Sequence, residues 1–146
     1  MKADKNENKV VLNKLVIDGE GQIMGRLASY AAKQALLGNE IAVLNSEKII
    51  VTGTKEDIVE KFQLTRKIGG DRFQGPYPSR DTEKLMKRAI RRMLPDYRVG
   101  RGREAWKRIK CYNGFPEEFK KDKIIVLEKK ELKCDYMTLS ELKKLL

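Results

Sequence analysis

The chain has 146 residues and a formal net charge of +11 at pH 7, from 32 lysines and arginines against 21 aspartates and glutamates. Hydrophobic residues make up 40% of it, which suits a folded domain and excludes a disordered basic tail. Histidine is absent, so the commonest general base and metal ligand are missing. This lowers the expectation of an enzyme, although catalysis by carboxylates or lysine stays open, and no catalytic residue, small-molecule substrate, cofactor or metal site is predicted.

The N-terminus is predicted to be a polar arm over residues 1–12. Its first nine residues lack the apolar core of a secretory signal. The longest clean apolar runs are about four residues, far short of the ~20 that cross a bilayer. These features predict a soluble, intracellular protein without a membrane partner.

The first half of the chain alternates strand and helix patterns. Short apolar runs bounded by glycine or polar residues are typical of buried strands, and apolar residues at helical spacing are typical of amphipathic helices. Thr54 and Asp57 resemble a capping box, which indicates a helix start. In order, the predicted elements are strand 15–18, helix 24–37, strand 40–45, strand 49–52 and helix 55–66. This order predicts an α/β fold with three layers, α/β/α, around a mainly parallel sheet.

The second half opens with a long loop, residues 68–80, which holds three glycines and two prolines. Two basic helices are predicted next, at 81–94 and 103–109, and Trp106 and Ile109 are expected to anchor the second on the core. A strand is predicted within 124–127, and a capping box at Thr138 and Glu141 opens a C-terminal helix. The apolar stripe of the first basic helix is expected to comprise Leu85, Met86, Ala89, Ile90, Met93 and Leu94.

The domain organisation follows from this order. We expect a single α/β domain over residues 13–119, which carries a basic loop-and-helix extension. A C-terminal extension over 120–146 is expected to end in a short helix. Cys111 and Cys134 are too few and too far apart for a metal site, so we expect two partly buried free thiols.

The net charge is confined to residues 61–110, called the basic block below. This block carries 16 lysines and arginines against 5 acidic residues, and the segments before and after it sum to zero. It also holds ten of the 11 arginines. The rigid guanidinium fork binds phosphate oxygens in pairs and stacks on bases, so the block predicts a polyanionic partner, and nucleic acid above all.

The candidate site residues all lie in the basic block. Phe73 and Tyr77 in the loop are candidates for stacking on unpaired bases. An ordinary solvated loop and a solvated helix face are the alternatives, and Trp106 is favoured as a core residue over a base-stacking one. The five cations of helix 81–94 face acidic residues only in its first turn, so we expect them to be unpaired. The candidate phosphate-binding residues are Arg66, Lys67, Arg72, Arg80, Lys84, Lys87, Arg88, Arg91, Arg92, Arg98, Arg101, Arg103, Lys107, Arg108 and Lys110.

A second constellation, glycines at 19, 21 and 25, follows a strand and opens a helix. That context suits a dinucleotide pyrophosphate at a helix N-terminus. The spacing differs from G-x-G-x-x-G, and Asn45 and Ser46 stand where the usual acidic residue is expected. Tight helix–strand packing is therefore the favoured role of these glycines, and a nucleotide-dependent enzyme is the rival interpretation.

Several motifs, in order along the chain, carry a resemblance to a known family. They are Val16-Ile-Asp-Gly19, Met24-Gly-Arg-Leu-Ala-Ser29, Val43-Leu-Asn-Ser-Glu47, Ile50-Val-Thr-Gly53, Pro78-Ser-Arg80, Arg91-Arg-Met-Leu-Pro95, and the run from Arg101-Gly-Arg-Glu-Ala-Trp106 to Phe115-Pro116. Over about residues 15–119 the chain resembles the L-thirteen family of large-subunit ribosomal proteins, and its archaeal and eukaryotic members more than its bacterial ones.

The resemblance implies a three-layer α/β/α domain and a structural role without catalysis. It also implies large-subunit rRNA and neighbouring large-subunit ribosomal proteins as partners, and the cytoplasmic ribosome as location. The charge distribution and the resemblance both point to the basic block. We therefore predict rRNA binding through that block, with an RNA- or DNA-binding module outside the ribosome as the alternative.

Overall fold

A four-stranded parallel sheet forms the centre of the molecule. The computed structural model describes residues 13–68, 78–129 and 131–146. The strands of this sheet lie in the order β4–β2–β1–β5, and its three strand pairs are all parallel. They are β1 (Lys14–Asp18), β2 (Glu40–Leu44), β4 (Ile109–Cys111) and β5 (Ile124–Ile125). The α/β class with a mainly parallel sheet is thereby confirmed.

Within the described residues five α-helices accompany the sheet, and two of them begin at the capping residues that the sequence signals. The Asp57 amide donates to the Thr54 hydroxyl at 3.4 Å, and Thr138 and Glu141 form the reciprocal capping box. Gly38, at φ 101°, follows the first helix in the left-handed conformation that glycine favours. The helices are α1 (Met24–Leu36), α2 (Lys55–Lys67), α3 (Thr82–Met93), α4 (Gly100–Lys107) and α5 (Leu139–Leu145).

The two faces of the sheet bury different partners because strand side chains alternate. On β1, Ile17 belongs to a large core with the apolar faces of α1, α3 and α5. Val16, its neighbour, belongs to a smaller cluster. Phe119, from a 3₁₀ helix at Glu117–Phe119, covers that cluster and is 3% exposed. The larger core therefore positions α3, the helix that carries the predicted site.

The third predicted strand exists but leaves the parallel sheet. β3 (Ile50–Thr52) pairs antiparallel with β6 (Tyr136–Thr138) in a separate two-stranded ribbon. The ribbon brings the C-terminal segment onto the main core, where Leu139 and Leu142 are fully buried. The chain after residue 120 thus contributes apolar side chains to the same core as the sheet.

Three details of the predicted elements were wrong. The second basic helix runs from Gly100 to Lys107 instead of 103–109, and it ends early because the chain there becomes β4 and pairs with β2. Met93 is 42% exposed, since it lies in the last turn of α3. Cys134 is exposed, whereas Cys111 is partly buried, and both thiols are free. Among the described residues, no helix combines the length and the apolarity that crossing a bilayer requires.

Candidate nucleic-acid interface

Helix α3 separates its apolar and basic residues at helical spacing. Leu85, Met86 and Ile90 are buried against the core. Because these positions occupy one stripe of the helix, the intervening cations point away from the core. The outward residues, half-buried or exposed, are Lys84, Lys87, Arg88, Arg91 and Arg92.

Helix α4 packs closely against the turn that follows α3. A Cβ atom at Gly102 would collide with the backbone carbonyl oxygens of Pro95 and Asp96. Gly102 therefore serves this close packing and not the approach of a ligand. With Ala105 also buried, the exposed side of α4 carries Arg101, Arg103 and Lys107.

A series of cation–π contacts joins the two helices. The Lys87 ammonium lies 4.8 Å from the centroid of the Trp106 ring, and the Arg91 guanidinium lies 6.0 Å from it. Arg91 also lies 4.7 Å from the centroid of the Tyr97 ring, and Arg98 lies 5.6 Å from the same ring. Trp106 is half-buried and packs against the large core, which agrees with its favoured role. The aromatic rings thereby restrain three of the predicted phosphate-binding cations.

These residues surround a surface concavity of about 390 Å³. Pro78, which is buried, and Ser79, both near the end of the predicted loop 68–80, form one side of it. The remaining lining comes from α3 and α4: Lys84, Lys87, Arg88, Arg91 and Trp106. The structure thus brings cations and one aromatic ring from separate parts of the basic block around a single space.

The charges in this region are only partly balanced. Lys84 bonds to Asp81 at 2.9 Å, so the expectation that all five α3 cations are unpaired was wrong. The hydrogen bond from Lys84, followed by that from Ser79, lowers the pKa of Asp81. For Arg88, burial first and then the nearby positive charges of Arg92 and Arg91 lower the pKa. Among the described residues Arg88 thus faces like charges without a carboxylate in salt-bridge distance, and an anionic ligand would relieve that repulsion.

The remaining predicted residues are spread more widely. Arg66 and Lys67 end α2, whose Gln63 side chain donates to the Leu145 backbone oxygen near the C-terminus. Arg108 is engaged within the fold, since it donates to the Ala35 carbonyl at 3.4 Å and lies 3.7 Å from Glu104. Arg80 and Lys110 are exposed. The predictions for Arg72, Phe73 and Tyr77 lie outside the described residues.

Two features of the interface were missed at the level of sequence. Tyr97 was not singled out, although an aromatic residue beside Arg98 and six residues after Arg91 is a recognisable signal. The Arg98 guanidinium donates to the Tyr97 hydroxyl at 3.4 Å, and this bond lowers the pKa of the phenol. Pro78 and Ser79 belong to the predicted loop and to a family motif, but their place beside Trp106 was missed because it depends on the tertiary fold.

The backbone amides of the glycine turn after β1 already donate hydrogen bonds within the chain. A Cβ atom at Gly19 would lie 2.7 Å from the Leu44 carbonyl oxygen, so this glycine is needed for close packing. A pyrophosphate would require free N–H groups at this turn. Four successive amides instead donate within the chain: Gly19 to Leu44, Glu20 to the Asp18 carboxylate, Gly21 to Lys48 and Gln22 to Gly19. Nor do three or more Cys, Asp or Glu side chains of the described residues cluster as metal ligands.

Comparison with known proteins gives the family. The family model for "Ribosomal protein L13" matches residues 12–118, which is most of the chain. The chain belongs to the ribosomal protein L13 family. The match spans the parallel sheet up to β4 together with α3 and α4, so both the core and the candidate interface lie within the family region.

Relatives from archaea support the same assignment over nearly the whole length. A protein of Methanocaldococcus jannaschii named large ribosomal subunit protein uL13 is 42% identical over 132 residues, covering 88% of this chain and 94% of that protein. The uL13 protein of Archaeoglobus fulgidus is 39% identical over 136 residues, covering 90% and 86%. That of Methanococcoides burtonii is 39% identical over 117 residues, covering 80% and 83%. The resemblance to this family seen in the sequence motifs is therefore confirmed.

Proposed function

We propose that this member of the ribosomal protein L13 family is a structural constituent of the large ribosomal subunit and binds large-subunit rRNA. The binding surface is the outer side of α3 and α4, which we call the basic face. One observation carries the proposal: two helices gather eight cations, and among the described residues only Lys84 of the eight forms a salt bridge, to Asp81. The basic face comprises Lys84, Lys87, Arg88, Arg91, Arg92, Arg101, Arg103 and Lys107.

The mechanism is neutralisation of phosphates by a rigid surface. Repulsion between RNA segments opposes their close packing, and cations placed between the segments remove that repulsion. Because A-form RNA is recognised mainly by its backbone and shape, most of these contacts need no particular base. A cation–π contact with Tyr97 already restrains Arg91, so less side-chain entropy is lost when it binds phosphate.

The rest of the basic block extends this surface in the proposal. Arg66, Lys67, Arg72, Arg80, Arg98 and Lys110 reach RNA beyond the basic face, whereas Arg108 contributes mainly to the packing of α1 against α4. Neighbouring large-subunit proteins are the further partners, and the cytoplasmic ribosome is the location. The role is structural and not enzymatic, in keeping with the internally bonded amides of the Gly19 turn.

Sedimentation of the full-length chain tests the proposal. We expect the wild type to co-sediment with large subunits in a sucrose gradient of cell lysate and to persist through a moderate salt wash. Replacing the exposed residues Arg92 and Arg101 by glutamine should shift much of the chain to the top of the gradient. The matched control replaces Arg26 and Lys61, which are also exposed, by glutamine. It removes the same charge from outside the basic face.

A binding measurement separates the basic face from charge in general. With a large-subunit rRNA fragment, log K falls with log salt by roughly 0.7–0.9 for each phosphate contact. For the Arg92 and Arg101 double variant, the slope of log K against log salt should therefore fall by close to the value for two contacts. For the control double variant the slope should not change. Equal slopes for both double variants would contradict the basic face as the binding surface.

A further inference from the structure

The concavity between α3, α4 and the Pro78–Ser79 segment combines two kinds of chemistry. Its volume of about 390 Å³ lies at the lower end of the roughly 300–1,000 Å³ typical of small-ligand clefts. Such a space admits a single nucleotide but not a duplex. An RNA helix keeps its bases stacked inside, whereas an unpaired nucleotide turns its base outward and offers it to a protein pocket.

The cations of the concavity favour a phosphate. Lys84 is tied to Asp81 at 2.9 Å, whereas Lys87, Arg88 and Arg91 have no carboxylate within salt-bridge distance among the described residues. Three positive charges on adjacent turns of one helix repel one another. A phosphodiester placed between them removes this repulsion and accepts charge-assisted hydrogen bonds.

The aromatic ring of the concavity favours a base. Trp106 is half-buried with its ring against the core, and the Lys87 ammonium lies 4.8 Å from the ring centroid. A cation–π contact at an exposed site is weaker than the stacking of a base on an aromatic ring. An entering base therefore displaces the Lys87 ammonium favourably, and the released ammonium then binds the phosphate of the same nucleotide.

We propose that this concavity binds one unpaired nucleotide of RNA, with the base on Trp106 and the phosphate between Lys87, Arg88 and Arg91. The inference rests on the proposed RNA-binding function and deepens it, because it assigns base recognition to one place on a surface that otherwise reads the backbone. The basic face then binds single-stranded or bulged RNA in preference to an uninterrupted duplex.

The first experiment uses the only tryptophan of the chain as the reporter. The full-length protein is titrated at matched salt with a short oligouridylate and with an abasic ribose-phosphate oligomer of equal length. We expect the oligouridylate to quench the Trp106 fluorescence saturably and to bind roughly 5- to 150-fold more tightly than the abasic oligomer, which is the range for one base–aromatic stack.

Variants test the aromatic part and the cationic part of the pocket separately. Binding of a labelled oligouridylate is measured by fluorescence anisotropy. Trp106→Phe keeps a ring and should keep the preference for base-bearing RNA, whereas Trp106→Leu should abolish it. Arg88→Gln should weaken binding more than Arg92→Gln, which removes the same charge from the same helix outside the concavity. Circular dichroism establishes whether each variant is folded. If Trp106→Leu does not fold, the comparison of Arg88→Gln with Arg92→Gln still tests the pocket.

The outcomes distinguish the pocket from the proposed function. Equal affinity for the base-bearing and abasic oligomers, or equal losses in Arg88→Gln and Arg92→Gln, would overturn the nucleotide pocket while leaving rRNA binding intact. A wild-type chain that binds neither oligomer nor a large-subunit rRNA fragment would overturn the proposed function itself.

Discussion

The guanidinium carbon of Arg91 lies 4.7 Å from the centroid of the Tyr97 ring. Arg91 also approaches the Trp106 ring at 6.0 Å, so it lies near two aromatic rings. A free arginine side chain samples many rotamers, and binding a phosphate fixes one of them at an entropic cost. The two rings restrict those rotamers before RNA arrives.

Replacement of Tyr97 by leucine should lower the affinity for an rRNA fragment by about fivefold, the equivalent of one exposed cation–π contact. The slope of log K against log salt should stay unchanged, because no phosphate-binding cation is removed. Tyr97→Phe is the control, since it keeps the ring beside Arg91. A fall of the slope by a full contact in Tyr97→Leu would show that the tyrosine does more than orient Arg91.

Replacement of Asp81 by asparagine should strengthen RNA binding. The change frees Lys84 from its 2.9 Å salt bridge and removes a negative charge beside the basic face, so the slope of log K against log salt should rise by close to one contact. The Asp81 side chain makes no cap hydrogen bond at the start of α3, and asparagine suits that position equally well. A weaker RNA complex in this variant would contradict the prediction.

The same carboxylate predicts a pH dependence. The pKa of Asp81 is lowered in the folded protein, so the folded state favours its ionised form. This contribution to stability is present above the unfolded pKa of about 3.9 and is lost as the pH falls through the folded pKa. Acid unfolding of Asp81→Asn should therefore lack that component, which urea titrations at a series of acidic pH values would detect.

Replacement of Gly102 by alanine should destabilise the fold by about 1–3 kcal/mol. The added Cβ meets backbone carbonyl oxygens of Pro95 and Asp96, which cannot turn aside as a flexible side chain would. Gly25→Ala is the matched control, because nothing lies within 4 Å of its Cβ position and alanine favours a helix. Urea unfolding should give a lower midpoint for the first variant only, and equal midpoints would exclude the predicted collision.

The two thiols should differ in reactivity. Burial raises the pKa of Cys111 to about 12, so it remains a thiol at mildly alkaline pH, whereas Cys134 is exposed. Because the thiolate is the nucleophile, timed alkylation with iodoacetamide at about pH 8 should modify Cys134 first, as peptide mass spectrometry would show. Equal alkylation rates would contradict the burial of Cys111.

The raised pKa of Cys111 also affects stability. Between the unfolded pKa of 9.0 and the folded value, rising pH ionises the thiol of the unfolded chain preferentially and so lowers the stability of the fold.

Much of the fold was predictable because its signals are local. The alternation of apolar runs with helical patterns gave β1, α1, β2, α2 and α3 within a few residues of their observed limits. The capping residues Thr54 and Thr138 begin helices as predicted, because a hydroxyl bonds to an amide three residues along the same chain.

Two departures from the predicted elements fall where distant segments meet. Ile109 continues the apolar spacing of α4. It nevertheless forms a strand, because its backbone pairs with β2, nearly 70 residues earlier in the chain. Likewise β3 pairs with β6 at the C-terminus and not with the parallel sheet. No local pattern encodes such pairings, since the partner's register decides which hydrogen bonds form.

The sequence by itself determined the family, the α/β class and the part of the chain that carries the charge. Composition and motifs are properties of the chain, and they do not depend on which segments become neighbours. The tertiary structure alone decided which cations act together. It set Lys87 and Arg91 beside Trp106 and turned Arg108 toward α1. The physical reason is that electrostatic and stacking energies depend on distances between side chains, and packing of α3 and α4 on a common core fixes those distances.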